Sequence, residues 1–419
     1  MKTNWKAVAF CLCVALLLGS AFAGEGSVPK GVPHLDHVFV IVMENHGYTQ
    51  IVDNPNAPFI NKLAKSANSA TNYFAVAHPS LTNYLEVVGG SNFGVLNDHS
   101  PDWHNGSCST NLASGVTSFD TSAFPAICPI SGSGTDAETV AIDTTNESGP
   151  PGELNIDGVQ SIPAAHNISG KTIGDQLVAA GLGWKSYQES LPLAGANKVN
   201  SSDGFFTDAT DFTKILPTLT PPLSQANVVS LYAVKHNPFA YFRDVQEGWD
   251  TRNSLKNIVD FEGANGLYAD LGSGQVPAFS FIAPNQCNDE HGRGNAGAFC
   301  NYDPLSDGSQ AGLNPALIYQ GDVTVKRLVT AIKKSPAWHD GRSAIVVLWD
   351  ENDYSTAPNN NRVLLIVDTN YGVHRTTSDR RYTHFSLLKS IEAGFGLPCL
   401  NHACDSDVHV MSDLFAGND

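Results

Sequence analysis

Two hydrophobic runs, far apart in the chain, each stop at an acid. HVFVIVM at 37–43 is followed by Glu44 and Asn45, and SAIVVLW at 343–349 by Asp350 and Glu351. Continuous β-branched and aromatic residues without polar alternation predict strands buried on both faces. Shorter strand-like runs lie at 73–76, 183–187, 278–282 and 363–367. Helical patterns lie between them. One covers 58–67, with Phe59, Leu63 and Ala64 on one face, and others cover 172–180, 257–271 and 321–334. The last covers 384–395 and is stopped by Gly396. After the run at 73–76, His78 and Pro79 form a turn into a short helix, with Ser80 near its N-terminus and Gly89-Gly90 at its end.

Strands alternating with helices predict an α/β fold: a mostly parallel central sheet with helices on both faces. In such sheets the C-terminal rim is where ligands bind. Both acid-terminated strands would deliver their carboxylates there. Residues 91–170 break the pattern. They are rich in Gly, Ser, Thr, Asp and Pro and have no period, so they read as a long irregular insertion in the same domain. A lid over the substrate and an ordinary surface excursion are both open readings.

The first residues change the picture of where the protein works. Lys2 and Lys6 precede an apolar stretch to Leu18, and Ala21-Phe22-Ala23 follows, which is the pattern of a signal peptide over 1–23. A retained N-terminal anchor is the alternative. Cleavage leaves a single domain over 24–419 in a secreted or periplasmic protein without a stable membrane anchor. The cysteines after residue 23 form three local pairs, Cys108/Cys128, Cys287/Cys300 and Cys399/Cys404, which an exported chain would close as disulfides. Sequons stand at Asn105, Asn146, Asn167 and Asn200.

The formal net charge is −17. That balance disfavours nucleic acid as an obligate partner and anionic membranes as a surface. An anionic small substrate would need local cations. Lys235 and His236 supply some, or form a solvated turn.

Ser80 at a helix start sits beside unpaired N–H groups and a positive dipole end, which favour an anion or an alkoxide; as a lone serine it reads better as an N-cap. Asn83, three residues on, adds an amide donor, and His78 is its upstream neighbour. No G-x-S-x-G elbow occurs, so activation of the serine by a metal is the remaining route. Glu44, Asn45, Asp350 and Glu351 offer hard oxygen ligands, suited to Mg, Ca, Mn or Zn. Taken singly, each acid is also explained by a structural ion pair. Asp289 and His291 follow the strand at 278–282, and His384 opens the last helix; these could serve a second cation or contact a phosphate.

Together the motifs HVFVIVMENH (37–46), HPSLTNYLEVVGG (78–90), KHNPF (235–239), PNQCNDEHG (284–292), LWDEND (348–353) and YTHFSLL (382–388) resemble the phosphoesterase family of secreted acid phosphatases and phospholipases C, in the alkaline phosphatase superfamily. They occur in family order across 37–397. The resemblance implies an alkaline phosphatase-like fold and a metal-dependent phosphoester hydrolase acting on a small phosphorylated substrate. It makes Ser80 the nucleophile and Asn83 a phosphoryl-oxygen donor. It makes Glu44, Asp350 and Glu351, with Asn45 and Ser80, the metal site. His291 and His384 become catalytic, His78, Lys235 and His236 substrate-binding, and Asp289 part of a second metal region. The spacing Asp289-x-His291 is shorter than in two-metal members. HPSxxNY and the Glu44-Asn45-His46 sequence match the acid phosphatase branch and point to phosphomonoesters. A phospholipase C-like phosphodiesterase and a non-catalytic protein that binds phosphoryl ligands are the alternatives.

Overall fold

The computed structural model describes residues 25–95, 98, 168–191, 231–292, 315–352 and 360–415, and in the segments between them only the backbone of short strands. The segment 1–23, most of the 91–170 insertion and the Cys108/Cys128 and Cys287/Cys300 pairings lie outside the described residues. Among the described residues no helix is long and apolar enough to cross a membrane, and Cys399 is bonded to Cys404.

The centre is a nine-stranded sheet. Its strands are β1 (His37–Met43), β2 (Asn68–Phe74), β3 (Trp184–Gln188), β4 (Ile258–Val259), β5 (Phe279–Ala283), β6 (Ser343–Trp349), β7 (Arg362–Thr369), β8 (Thr377–Ser378) and β9 (Tyr382–Thr383). The order is β4-β3-β5-β1-β6-β7-β2-β8, and β9 also pairs with β2. Neighbours from β4 to β6 are parallel. β7 runs against both β6 and β2. Two reversals restore the direction, so β2 ends at the same rim as β1, β5 and β6.

Every residue of β6, and all of β1 except its first, is buried. Side chains alternate between faces along a strand, so both faces of the sheet centre are covered. Each such aliphatic side chain withdrawn from water contributes about 1.5–3 kcal/mol. The covering helices include α1 (Pro58–Ser66), α2 (Ser80–Gly89), α3 (Ile173–Ala179), α4 (Leu267–Ser273), α5 (Pro315–Lys334) and α6 (His384–Phe395). α2 packs on α6, and α1 on α5.

Two stretches differ from the sequence pattern. The helix expected over 257–271 is confined to α4, because Ile258 and Val259 pair with Ser186 and Tyr187 as edge strand β4. Gly266 opens α4 where a Cβ would stand 2.1 Å from the Glu262 carbonyl oxygen. α5 starts at Pro315 rather than at Gly321. Gly321 sits inside it because the Glu290 side chain occupies the space its Cβ would need.

Candidate active site

Strand register assembles the site. Met43 lies opposite Trp349, so Glu44 and Asp350 leave the sheet side by side, and the Asp350 N–H donates to the Met43 carbonyl at 2.9 Å. The segment after β5 is tied in by the Glu44 N–H, which donates to the Asp289 carbonyl at 2.7 Å. β2 leads through Ala75–Ala77 and the cis His78–Pro79 peptide to Ser80, the first residue of α2.

Ser80 is buried, and its hydroxyl lies 3.2 Å from Glu44 Oε2 and 3.3 Å from Glu351 Oε1. Asn83 follows on the same helix face. Its Oδ1 accepts from the Val76 and Ala77 N–H groups, each at 3.0 Å. Its Nδ2 donates to the Ala77 carbonyl at 2.7 Å and to Glu351 Oε2 at 3.3 Å. His78 Nδ1 lies 2.7 Å from the same Glu351 oxygen. These contacts fix the turn before Ser80 and the orientation of Glu351.

A second layer surrounds Glu44. Tyr84 donates its phenol to Glu44 Oε1 at 2.6 Å. His236 lies between two acids, with Nε2 3.1 Å from Glu44 Oε1 and Nδ1 3.1 Å from Asp289 Oδ2. Glu44, His236 and His291 each offer a ligand atom within 4.8 Å of the others. Asp289 Oδ1 accepts from the His291 N–H at 2.8 Å. Between them Glu290 adopts φ +83, a left-handed backbone costly for a residue with a side chain. Its carboxyl accepts from Trp349 Nε1 at 3.0 Å.

Two predicted residues take other partners. Both His384 ring nitrogens are engaged: Nε2 is 2.6 Å from the Asp350 carbonyl and Nδ1 is 2.8 Å from the Tyr73 hydroxyl. The structure therefore groups Asp289 and His291 with His236, and holds His384 behind Asp350. Lys235 is buried, and its Nζ pairs with Asp98 Oδ2 at 2.9 Å. Asp98 Oδ1 accepts from the Leu81 N–H at 3.0 Å, next to Ser80. Asp98 did not stand out in the sequence, and Tyr84 did so only as the last residue of HPSxxNY, four residues after Ser80 on the same helix face.

Burial raises the Glu44 carboxyl to about 8, with Lys235 and the Tyr84 phenol opposing and Glu351 adding to the rise. Burial also pushes up Asp350, where Glu44 and Glu351 add to it, and Asp289, where Glu44 adds to it. Burial first, then Lys235 and His291, hold His236 well below the usual histidine range. A neutral imidazole has only one N–H, yet His236 faces two carboxylates, so one of its contacts requires a further proton or a cation. Asn45 Oδ1 and Asp350 Oδ2 are buried without a hydrogen-bond partner. Glu44, Asn45, Asp350 and Glu351 thus form a cluster of oxygen donors, with unpaired oxygens on Asn45 and Asp350, whose chemistry suits a divalent cation.

The Phosphoesterase family model matches residues 50–300 of the chain. The chain is 22% identical to the phosphatidylinositol-3-phosphatase of Mycobacterium tuberculosis, over 96% of its own length and 92% of that protein. It is 26% identical to the phosphate-repressible acid phosphatase of Penicillium chrysogenum, over 81% of its own length and 55% of that protein. It thus spans about half the length of that fungal relative. A solved structure from Vibrio parahaemolyticus, described as a protein in the alkaline phosphatase superfamily, superposes with a TM-score of 0.41 and 12% identity, over 89% of this chain and 71% of that one.

Proposed function

The chain belongs to the Phosphoesterase family and is a phosphoric ester hydrolase, and from that premise we propose that it is an exported, metal-dependent phosphomonoesterase working through a phosphoserine. One observation carries the reading: the Ser80 hydroxyl stands between two carboxylates brought from opposite ends of the chain, Glu44 and Glu351. The relatives named above are phosphatases by name, one a phosphatidylinositol-3-phosphatase and one an acid phosphatase. They support monoesters over the phospholipase C-like alternative.

Ser80 Oγ attacks phosphorus in line as its proton passes to a neighbouring carboxylate, and the bond to the leaving alkoxide breaks. His291, its Nδ1 2.8 Å from the Gly292 carbonyl, supplies the proton that the leaving oxygen takes up. Asn83 Nδ2 turns its longer hydrogen bond, the one to Glu351 Oε2 at 3.3 Å, to the equatorial oxygens beside the positive end of α2. Water then attacks the phosphoserine as one of its protons passes to His291, the bond between phosphorus and Ser80 Oγ breaks, phosphate leaves, and the carboxylate returns the proton to Ser80. A divalent ion held by Glu44, Asn45, Asp350 and Glu351 would supply Lewis-acid stabilisation of the serine oxygen and the phosphoryl group.

Hydrolysis of p-nitrophenyl phosphate and of bis-p-nitrophenyl phosphate, with acid quenching to trap labelled phosphoserine, tests this. The expected result is monoesterase activity, label on Ser80, and a loss of at least about 10³-fold in kcat/KM for Ser80→Ala, about 4 kcal/mol of transition-state stabilisation. Full activity of Ser80→Ala would refute the nucleophile. A preference for the diester would move the reading to the phosphodiesterase, and no turnover of either ester with any divalent ion would favour a binding protein.

A further inference from the structure

Ser80, Asn83 and Tyr84 occupy positions i, i+3 and i+4 of α2 and so share one face of the helix. The first two have roles in the reading above; Tyr84 has none yet. Its hydroxyl donates to Glu44 Oε1 at 2.6 Å. Its ring is parallel to the His236 imidazole, with centroids 5.2 Å apart and planes at 6°. The other contact is Phe281 of β5, edge-on at 6.1 Å and 63°. The ring is thus held between a core aromatic and a histidine, and its polar end reaches an acid at the tip of β1. Tyr84 is almost fully buried.

We infer that Tyr84 is a positioning residue with two separable actions: its phenol orients the Glu44 carboxylate as a ligand, and its ring fixes the plane of His236. Glu44 Oε2 faces Ser80 while Oε1 takes the phenol. A hydrogen bond to one oxygen sets the direction of the other. Outer partners that orient a ligand typically carry about 10–100-fold of metal affinity. The stacked ring does the same for an imidazole that must keep both nitrogens aimed at Glu44 and Asp289. The inference rests on Glu44 being a metal ligand.

Two variants separate the actions. Tyr84→Phe keeps the ring and removes the hydroxyl; Tyr84→Leu removes both. Mn²⁺ alone is titrated into the full chain by equilibrium dialysis, and kinetics with p-nitrophenyl phosphate are measured at saturating Mn²⁺. Tyr84→Phe should weaken Mn²⁺ binding by about tenfold or more, with KM unchanged and kcat within a few-fold. Tyr84→Leu should show the same Mn²⁺ loss and a raised KM as well. Circular dichroism and Tm confirm that each variant is folded. If Tyr84→Leu does not fold, Phe281→Leu, which loosens the same ring from behind, takes its place in the KM comparison.

Wild-type Mn²⁺ affinity in Tyr84→Phe overturns the phenol's action, and equal KM in the two variants overturns the ring's. A purely structural tyrosine would lower Tm without this split. Wild-type protein that binds no divalent ion refutes the metal reading instead. The phenol's action falls with it, and the ring's action is still decided by the KM comparison of the two variants.

Discussion

Lys235 donates from Nζ to Asp98 Oδ2 across 2.9 Å, and both side chains are buried. The pair joins the turn carrying His236 to the start of α2, because the other Asp98 oxygen accepts from the Leu81 N–H. Lys235 is also the main cation holding down the proton affinity of Glu44. Breaking a buried pair by removing one partner costs about 3–5 kcal/mol. Lys235→Met should therefore lower stability by that order and, by removing a positive charge beside Glu44, strengthen divalent-ion binding. Adding Asp98→Asn should restore most of the stability but leave most of the gain in ion affinity. Urea unfolding and dialysis distinguish the two effects; a return of both to wild-type values in the double variant would limit Lys235 to a structural role.

Metal binding should release protons. Glu44 rises to about 8 in the metal-free protein, mainly through burial, so at pH 6–7 its carboxyl carries a proton that a cation must displace. Apparent affinity should increase with pH up to about 8. Calorimetry in buffers of different ionisation enthalpy should show net proton release at pH 6.5. Affinity independent of pH between 5.5 and 8 would contradict this.

Asn83 combines two duties that substitutions can divide. Asn83→Ala leaves the buried N–H groups of Val76 and Ala77 without their acceptor, at about 1–3 kcal/mol each. Asn83→Asp keeps an acceptor oxygen, removes the Nδ2 donor and sets a charge beside Glu351. The expected outcome is a clear loss of Tm for the alanine variant. The aspartate variant should lose about 10²–10³-fold in kcat. An active aspartate variant would remove Asn83 from phosphoryl stabilisation.

Away from the site, Asn253 Nδ2 donates to Asp175 Oδ1 at 2.7 Å and to Asp244 Oδ2 at 2.8 Å, holding two carboxyls together. Burial, then Asp175, lifts Asp244 to about 8. A carboxyl raised above its unfolded value stabilises the fold fully below about pH 4. That contribution is lost as pH rises through about 8. Asp244→Asn should raise Tm at pH 8 and leave it unchanged or lower at pH 4. An equal Tm change at both values would show that Asp244 does not hold its proton up to about pH 8.

The sheet centre was legible because its strands are uninterrupted apolar runs, and a strand buried on both faces has no other way to look. β1, β6 and the acids that end them could be read directly, as could α6, which begins and ends at His384 and Phe395 as its pattern predicts. β4 was not legible: its Ile258 and Val259 are too short a run to show a period, and their strand state depends on the edge of β3. The reversed direction of β7 has no signature in composition either. The neighbours within the site were hidden for the same reason. Nothing in Lys235 announces Asp98, and the engagement of both His384 nitrogens follows from where Tyr73 and the Asp350 carbonyl come to rest.

The reversal of β7 has a practical consequence. β6 ends and β7 begins at the same rim, and the Asn352 N–H donates to Asn361 Oδ1 at 2.7 Å, while Asn361 Nδ2 reaches the Ala77 carbonyl at 2.8 Å. Any stretch grafted between those two asparagines departs from and returns to one pinned point beside the turn that leads to Ser80. Exchange of that stretch would leave the register that sets Glu44 beside Asp350 undisturbed.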